Sequence, residues 1–214
     1  VERYNSITKT ISQCANSQNA VNDADFFSNH PFHVTMEKLS HKVMAPPVDG
    51  KPYQTIWFYE RSRGKWEQEK MKLTQTQKAR FCEMHPKNQV IKKEKLAKCY
   101  NSILMNPHQV CQSSAINFNK VADVIEKMYE ENRDGINDEF FRKCVCSVII
   151  FDSLDRLISK ATWYPKGGNK AQIIPYTIAK MMTLIPKGLD IDWHYIWQKQ
   201  NLYPELAEEL MDIA

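Results

Sequence analysis

The chain has no CxxC pair, few glycines and no unbroken apolar run longer than Val148–Phe151. Each shortage removes a class of protein. Six cysteines, Cys14, Cys82, Cys99, Cys111, Cys144 and Cys146, stand without metal-ligand spacing, which argues against a zinc site and against a secreted disulfide scaffold. They read as reduced, mostly buried thiols of a cytoplasmic protein. A four-residue apolar run is far short of the ~20 residues a spanning helix needs, so no membrane partner is expected. Gly167-Gly168 lacks the strand-to-helix glycine pattern of a dinucleotide or P-loop site, and no cofactor is expected. His30-Pro31-Phe32-His33, with His41 beyond, has neither a cysteine nor a carboxylate at a diagnostic distance, so it is read as no metal site. The N-terminus shows no initiator Met and no signal core, and is read as the interior of a longer chain.

What is present is helical periodicity. Six glycines in 214 residues, and several segments with apolar residues three and four apart, predict a mainly α, irregular multi-helix domain with at most a minor strand element near 53–59. Tyr4, Ile7, Ile11 and Cys14 mark a first short helix. Asn16 to Pro52, rich in Asn, His and Pro, reads as short elements joined by loops. Ile56 to Tyr59, β-branched and aromatic, is the best strand candidate, although it equally suits the start of a helix. Thr74 and Gln77 have capping-box spacing and open a helix to about Met84; another carries Leu96 and Tyr100 between Lys92 and Leu104. Phe118, Val121, Ile125 and Met128 define a helix stopped at Asn132. From Asp138 to about Lys160 the apolar set wraps most of the helix, which predicts the central, most buried one. A helix from about Ala171 tolerates Pro175 in its first turn, and two short helices, 192–200 and 204–213, complete the chain. A sub-boundary is placed near 106–114.

Charge is uneven. The total is +4, yet residues 51–100 hold thirteen Lys or Arg against five Glu, while the remainder is slightly acidic. That distribution suits a protein facing a polyanion, and it equally suits a solvated lysine-rich helix face. The most distinctive string is Phe58-Tyr59-Glu60-Arg61-Ser62-Arg63-Gly64-Lys65-Trp66. Arg61, Arg63 and Lys65 offer phosphate contacts and Trp66 a stacking face, so DNA or RNA is the candidate partner; alternatively the arginines pair with carboxylates while the aromatics anchor the core. Asn16, Gln18 and Asn19 could read base edges, or cap helices and close turns. Asp152 and Asp155, near Arg156, are explained by a salt-linked helix, and no catalytic residue is assigned.

Three strings carry a family resemblance: Ala15 to Val21 leading into Asp25-Phe26-Phe27-Ser28-Asn29; Phe58-Tyr59-Glu60-Arg61 through Gly64; and Pro175-Tyr176-Thr177-Ile178-Ala179, with Trp163 before it. Together the strings resemble the abortive-infection phage-resistance (AIPR) family. The resemblance implies bacterial anti-phage defence and a nuclease-like region upstream, so that 1–214 is the helical C-terminal region of a longer protein. On that reading the upstream domain is itself a partner. A protein-interaction or dimerisation module sensing a phage component through Trp193, Tyr195 and Trp197, with a homo-oligomer as one outcome, is the competing expectation.

Overall fold

The computed structural model describes residues 27–48, 50 and 52–214. Among them are ten α-helices and two sheets of two short strands each, a mainly α fold with a minor strand element. The expected first helix at 4–14 lies outside the described residues.

Helix α1, Pro31–Lys42, falls where the sequence suggested only short elements and loops. His30, read from the sequence only as no metal ligand, is the N-cap: its Nδ1 accepts from the Phe32 N–H at 3.2 Å, and Pro31, lacking an N–H, occupies a position where none is needed. Phe32, Met36 and Leu39 then fall on one buried face.

The strand candidate splits in two. β1, Met44–Ala45, pairs antiparallel with β2, Thr55–Ile56, whereas β3, Phe58–Glu60, pairs in parallel with β4, Val90–Lys92. All three residues of β3 are buried, since helices cover both its faces. Between β3 and β4 the chain makes an outward hairpin of α2, Lys65–Met71, and α3, Gln75–Met84. Gly64, at φ 75°, turns the chain into α2 in a conformation that costs a side-chain-bearing residue.

No residue of α3 is buried. The capping box does form: the Gln77 N–H donates to Thr74 Oγ1 at 3.4 Å, and the Thr74 N–H donates to Gln77 Oε1 at 3.0 Å. Because so little packing supports α3, its cap matters. Thr74→Ala is expected to weaken the helix by about 1 kcal/mol. Faster amide exchange across residues 75–84 would register the loss, and unchanged exchange would show that Phe81 packing alone holds the helix.

Five longer helices build the core around α7, Asp138–Lys160. These are α1, α4 (Lys93–Ile103), α6 (Ser114–Glu131), α8 (Lys170–Leu184) and α10 (Pro204–Ile213). Two short helices complete the set, α5 (Pro107–Val110) and α9 (Trp193–Lys199). α7 packs against α1, α4, α8, α9 and α10, and its buried residues face every side of the helix, as its apolar width predicts.

Helix α8 starts earlier than the sequence suggested, at Lys170, so Pro175 sits in its second turn rather than its first. Proline cannot donate to the carbonyl four residues back, which leaves Ala171 O without its helical partner. Cys111 Sγ donates to that oxygen at 3.1 Å, which ties α8 to the end of α5.

Candidate functional site

The parallel pairing of β3 and β4 sets Glu60 opposite Lys92 and brings two cation-bearing stretches, Arg61–Lys65 and Lys92–Lys93, to one end of the strands. Helix α1 packs across β3 and contributes the carboxylate. Arg61 Nε donates to Glu37 Oε2 at 3.0 Å, and its Nη1 donates to Ser28 O at 2.7 Å and to Asn29 Oδ1 at 2.9 Å. Lys65 Nζ pairs with the other Glu37 oxygen, Oε1, and lies 3.9 Å from Glu69. Lys93, only 2% exposed, donates to Ser28 Oγ at 2.8 Å and lies over the Phe118 ring.

Beneath these ions lies a stack of rings. His33 lies between Tyr59, with ring centroids 6.0 Å apart, and Phe118, at 5.7 Å. His33 Nδ1 and the Tyr59 hydroxyl are 2.7 Å apart. Burial holds the His33 pKa down to about 3, with Lys93, His30 and Arg61 adding repulsion, while burial above all pushes the Tyr59 phenol well above its ordinary value. A protonated phenol and a neutral imidazole therefore face each other and share this hydrogen bond without a charge on either ring. Burial pushes the Glu37 carboxyl up, but Lys65 and Arg61 outweigh it and hold it below the ordinary value.

The expected nucleic-acid residues thus have different surroundings. Arg61 and Lys65 are brought together, but on a shared carboxylate, with side chains 20% and 25% exposed. Trp66 is 3% exposed; its indole N–H donates to His85 O at 3.0 Å, and Lys70 and Lys87 cover its ring. No face of that ring is available for a base. Arg63 is exposed, with no ion pair among the described residues. Asn16, Gln18 and Asn19 lie outside the described residues.

Other expectations are also redirected. Trp197 is buried under Arg142, while Trp193 and Tyr195 are half-buried, with Tyr195 packed edge-on to Tyr203. Asp152 and Asp155 do not pair with Arg156. They reach other helices, Asp152 to Lys95 and Asp155 to Lys170 at 3.1 Å, while Arg156 donates to Ser153. Cys99, Cys144 and Cys146 are pushed up to about 12 by burial, so they stay as thiols at neutral pH and are poor nucleophiles. Among the described residues no group of three His, Cys, Asp or Glu could hold a metal ion. Nor is any helix there long and apolar enough to cross a membrane.

Fold and site together define a mainly α protein whose polar centre is a salt-linked knot around Glu37, with a basic hairpin standing out beside it. The profile of the AIPR protein family matches residues 1–214, and the chain belongs to that family. No curated protein and no solved structure matches it. Membership implies a role in abortive infection and phage resistance.

Sequence reasoning did not anticipate Glu37, Ser28, His33 or Lys93 in this centre. Glu37 is 24 residues from Arg61 and 28 from Lys65, and nothing local marks it as their partner.

Proposed function

We propose that this AIPR chain serves phage resistance as an accessory helical module that holds nucleic acid in the cytoplasm for a nuclease-like region upstream, and that the α2–α3 hairpin makes the contact. One observation carries this reading. Arg63, Lys72, Lys78 and Arg80 form no ion pair among the described residues; Arg63 precedes α2, and the other three sit on or beside α3, of which no residue is buried. Glu67 and Glu69 are occupied by Lys87 and Lys65, which leaves Glu83 as the uncompensated acid of the hairpin. Unpaired cations on an outward element suit phosphates, because each contact releases condensed counterions. Arg61 and Lys65 belong on this reading to the base that holds the hairpin, not to the surface that meets the ligand.

Replacing Arg63, Lys72, Lys78 and Arg80 together by Glu is expected to weaken binding of a labelled oligonucleotide about tenfold or more, and to flatten log K against log salt by about 0.7–0.9 for each phosphate no longer neutralised. The melting temperature should barely change, since these side chains are exposed or half-exposed. An unchanged affinity and slope would remove the hairpin from the interface. The protein-interaction alternative keeps the half-buried Trp193 and Tyr195 of its expected surface, while Trp197 is buried.

A further inference from the structure

No Asp or Glu lies between Asp155 and Asp190, while Arg156, Lys160, Lys166, Lys170, Lys180 and Lys187 all fall within that interval. The same stretch holds two of the three exposed aromatics among the described residues, the other being Tyr53. Of the five tryptophans only Trp163 is exposed, at 49%, and Tyr176 is exposed at 59%. Packing accounts for neither ring.

We infer that the loop 161–169 and the outer face of α8 form a binding surface for single-stranded nucleic acid, with Trp163 and Tyr176 stacking on bases and Lys160, Lys166 and Lys180 meeting phosphates. The inference rests on the proposed function for its class of ligand, but on different residues from the hairpin.

The geometry prepares the rings. Gln172, Tyr176 and Lys180 follow each other at four-residue spacing, one exposed stripe along α8. At the N-terminal end of that stripe the loop is clipped shut. Lys170 Nζ donates to Ser159 Oγ at 2.7 Å and pairs with Asp155, and the Tyr164 hydroxyl donates to Gly168 O. A Cβ at Gly168 would lie 2.9 Å from the Tyr164 ring, so the close approach requires glycine. Trp163 stands edge-on to Tyr164 at 6.3 Å and is thereby presented from a braced turn. The Cys111 contact to Ala171 fixes the first turn of α8 that leads to Tyr176.

Chemistry selects the ligand. Lys160, Lys166 and Lys180 are exposed and form no ion pair among the described residues, and no carboxylate in the stretch repels a polyanion. Flat exposed rings add what an acidic protein face would leave unused, a stacking platform for unpaired bases. A duplex keeps its bases stacked on each other, so the single strand is the form that uses both features.

The test compares the 214-residue chain bound to oligothymidine with the same chain bound to an abasic oligomer carrying the same phosphates. The thymidine strand should bind more tightly. Trp163→Ala and Tyr176→Ala should each weaken thymidine binding roughly 5- to 150-fold, the range for removing one base–ring stack, and leave the abasic oligomer nearly unaffected. Trp163→Phe should restore most of the affinity. Reversing Lys160, Lys166 and Lys180 to Glu should weaken both oligomers and lower the salt slope. Equal affinity for the two oligomers, or alanine variants that bind like the parent, would overturn the inference. If hairpin reversal abolishes binding and the ring variants do not, this surface fails and the hairpin stands; the converse result removes the hairpin and keeps the surface. Loss of binding to anionic vesicles in the ring variants, with no oligonucleotide bound by the parent, would assign the surface to a lipid and refute both.

Discussion

Acidification should unfold this protein through His33 well before its carboxylates matter. The imidazole is 2% exposed, shares a hydrogen bond with the Tyr59 hydroxyl and lies between two rings, with Lys93 and Arg61 close enough to repel a positive charge on it. Its pKa falls from 6.5 to about 3 on folding. The folded chain therefore keeps His33 neutral where the unfolded chain has already taken up a proton. Its contribution is fully present above 6.5 and is lost as the pH falls towards 3, below which the folded state protonates as well. The loss runs at about 1.4 kcal/mol per pH unit, and amounts to about 5 kcal/mol over the window. Denaturant unfolding at a series of pH values measures the slope. His30 and His85, both held low chiefly by burial, add smaller slopes of the same sign, so the decisive quantity is the difference between the parent and His33→Gln. Glutamine offers Tyr59 both a donor and an acceptor and cannot titrate. If the variant shows the same acid slope as the parent, His33 is not the group responsible.

The elements legible in the sequence are those whose apolar period is undisturbed. Phe118, Val121 and Ile125 name the buried face of α6, and the width of the apolar set over 138–160 identifies α7 as the central helix, because only a helix packed on several sides uses so many apolar residues. α1 has the same period in Phe32, Met36 and Leu39, but the Asn, His and Pro around its start make the stretch read as loops, when His30 and Pro31 are in fact its cap and first residue. Strands of two and three residues have too few positions for a period, and the pairing of β3 with β4 across the hairpin is non-local, so no sequence window contains both partners.

The candidate site divides along the same line. Its cations are consecutive and easily seen; their neutralisation is tertiary. Arg61 and Lys65 find a counter-charge because α1 delivers Glu37, and Trp66 becomes core because Phe81 packs on its ring and Lys70 and Lys87 lie across it. The pairing of exposed ring with unpaired lysine, sought at 58–66, occurs instead at 160–180. There the signal is an absence of acid over a long interval rather than a dense motif, and exposure of Trp163 and Tyr176 is a property only the packed fold reveals.

Removing the Glu37 charge should separate the structural role of Arg61 and Lys65 from a ligand-binding one. The carboxylate is 13% exposed at its side chain and receives one cation on each oxygen. Glu37→Gln leaves both cations partly buried without a counter-charge, and the charge-assisted hydrogen bonds revert to neutral ones; the expected loss is about 2–4 kcal/mol. Glu37→Asp, one methylene shorter, should keep one of the two pairings and destabilise about half as much. A double-mutant cycle with Arg61→Gln isolates the pair, with coupling of roughly 0.5–3 kcal/mol expected for groups in direct contact. The pH dependence has its own window. Glu37 is held below the ordinary carboxyl value of 4.5, so its contribution is present above that value and disappears as the pH falls through the lower folded value, beneath the onset of the His33 loss. Nucleic-acid affinity supplies the second readout. Were Arg61 and Lys65 phosphate contacts held in reserve by Glu37, neutralising it would release them, and affinity would rise as stability fell. If they serve as the base of the hairpin, stability falls and affinity stays where the α2–α3 surface sets it, which is the outcome the three-way geometry of Arg61 with Glu37, Ser28 and Asn29 favours.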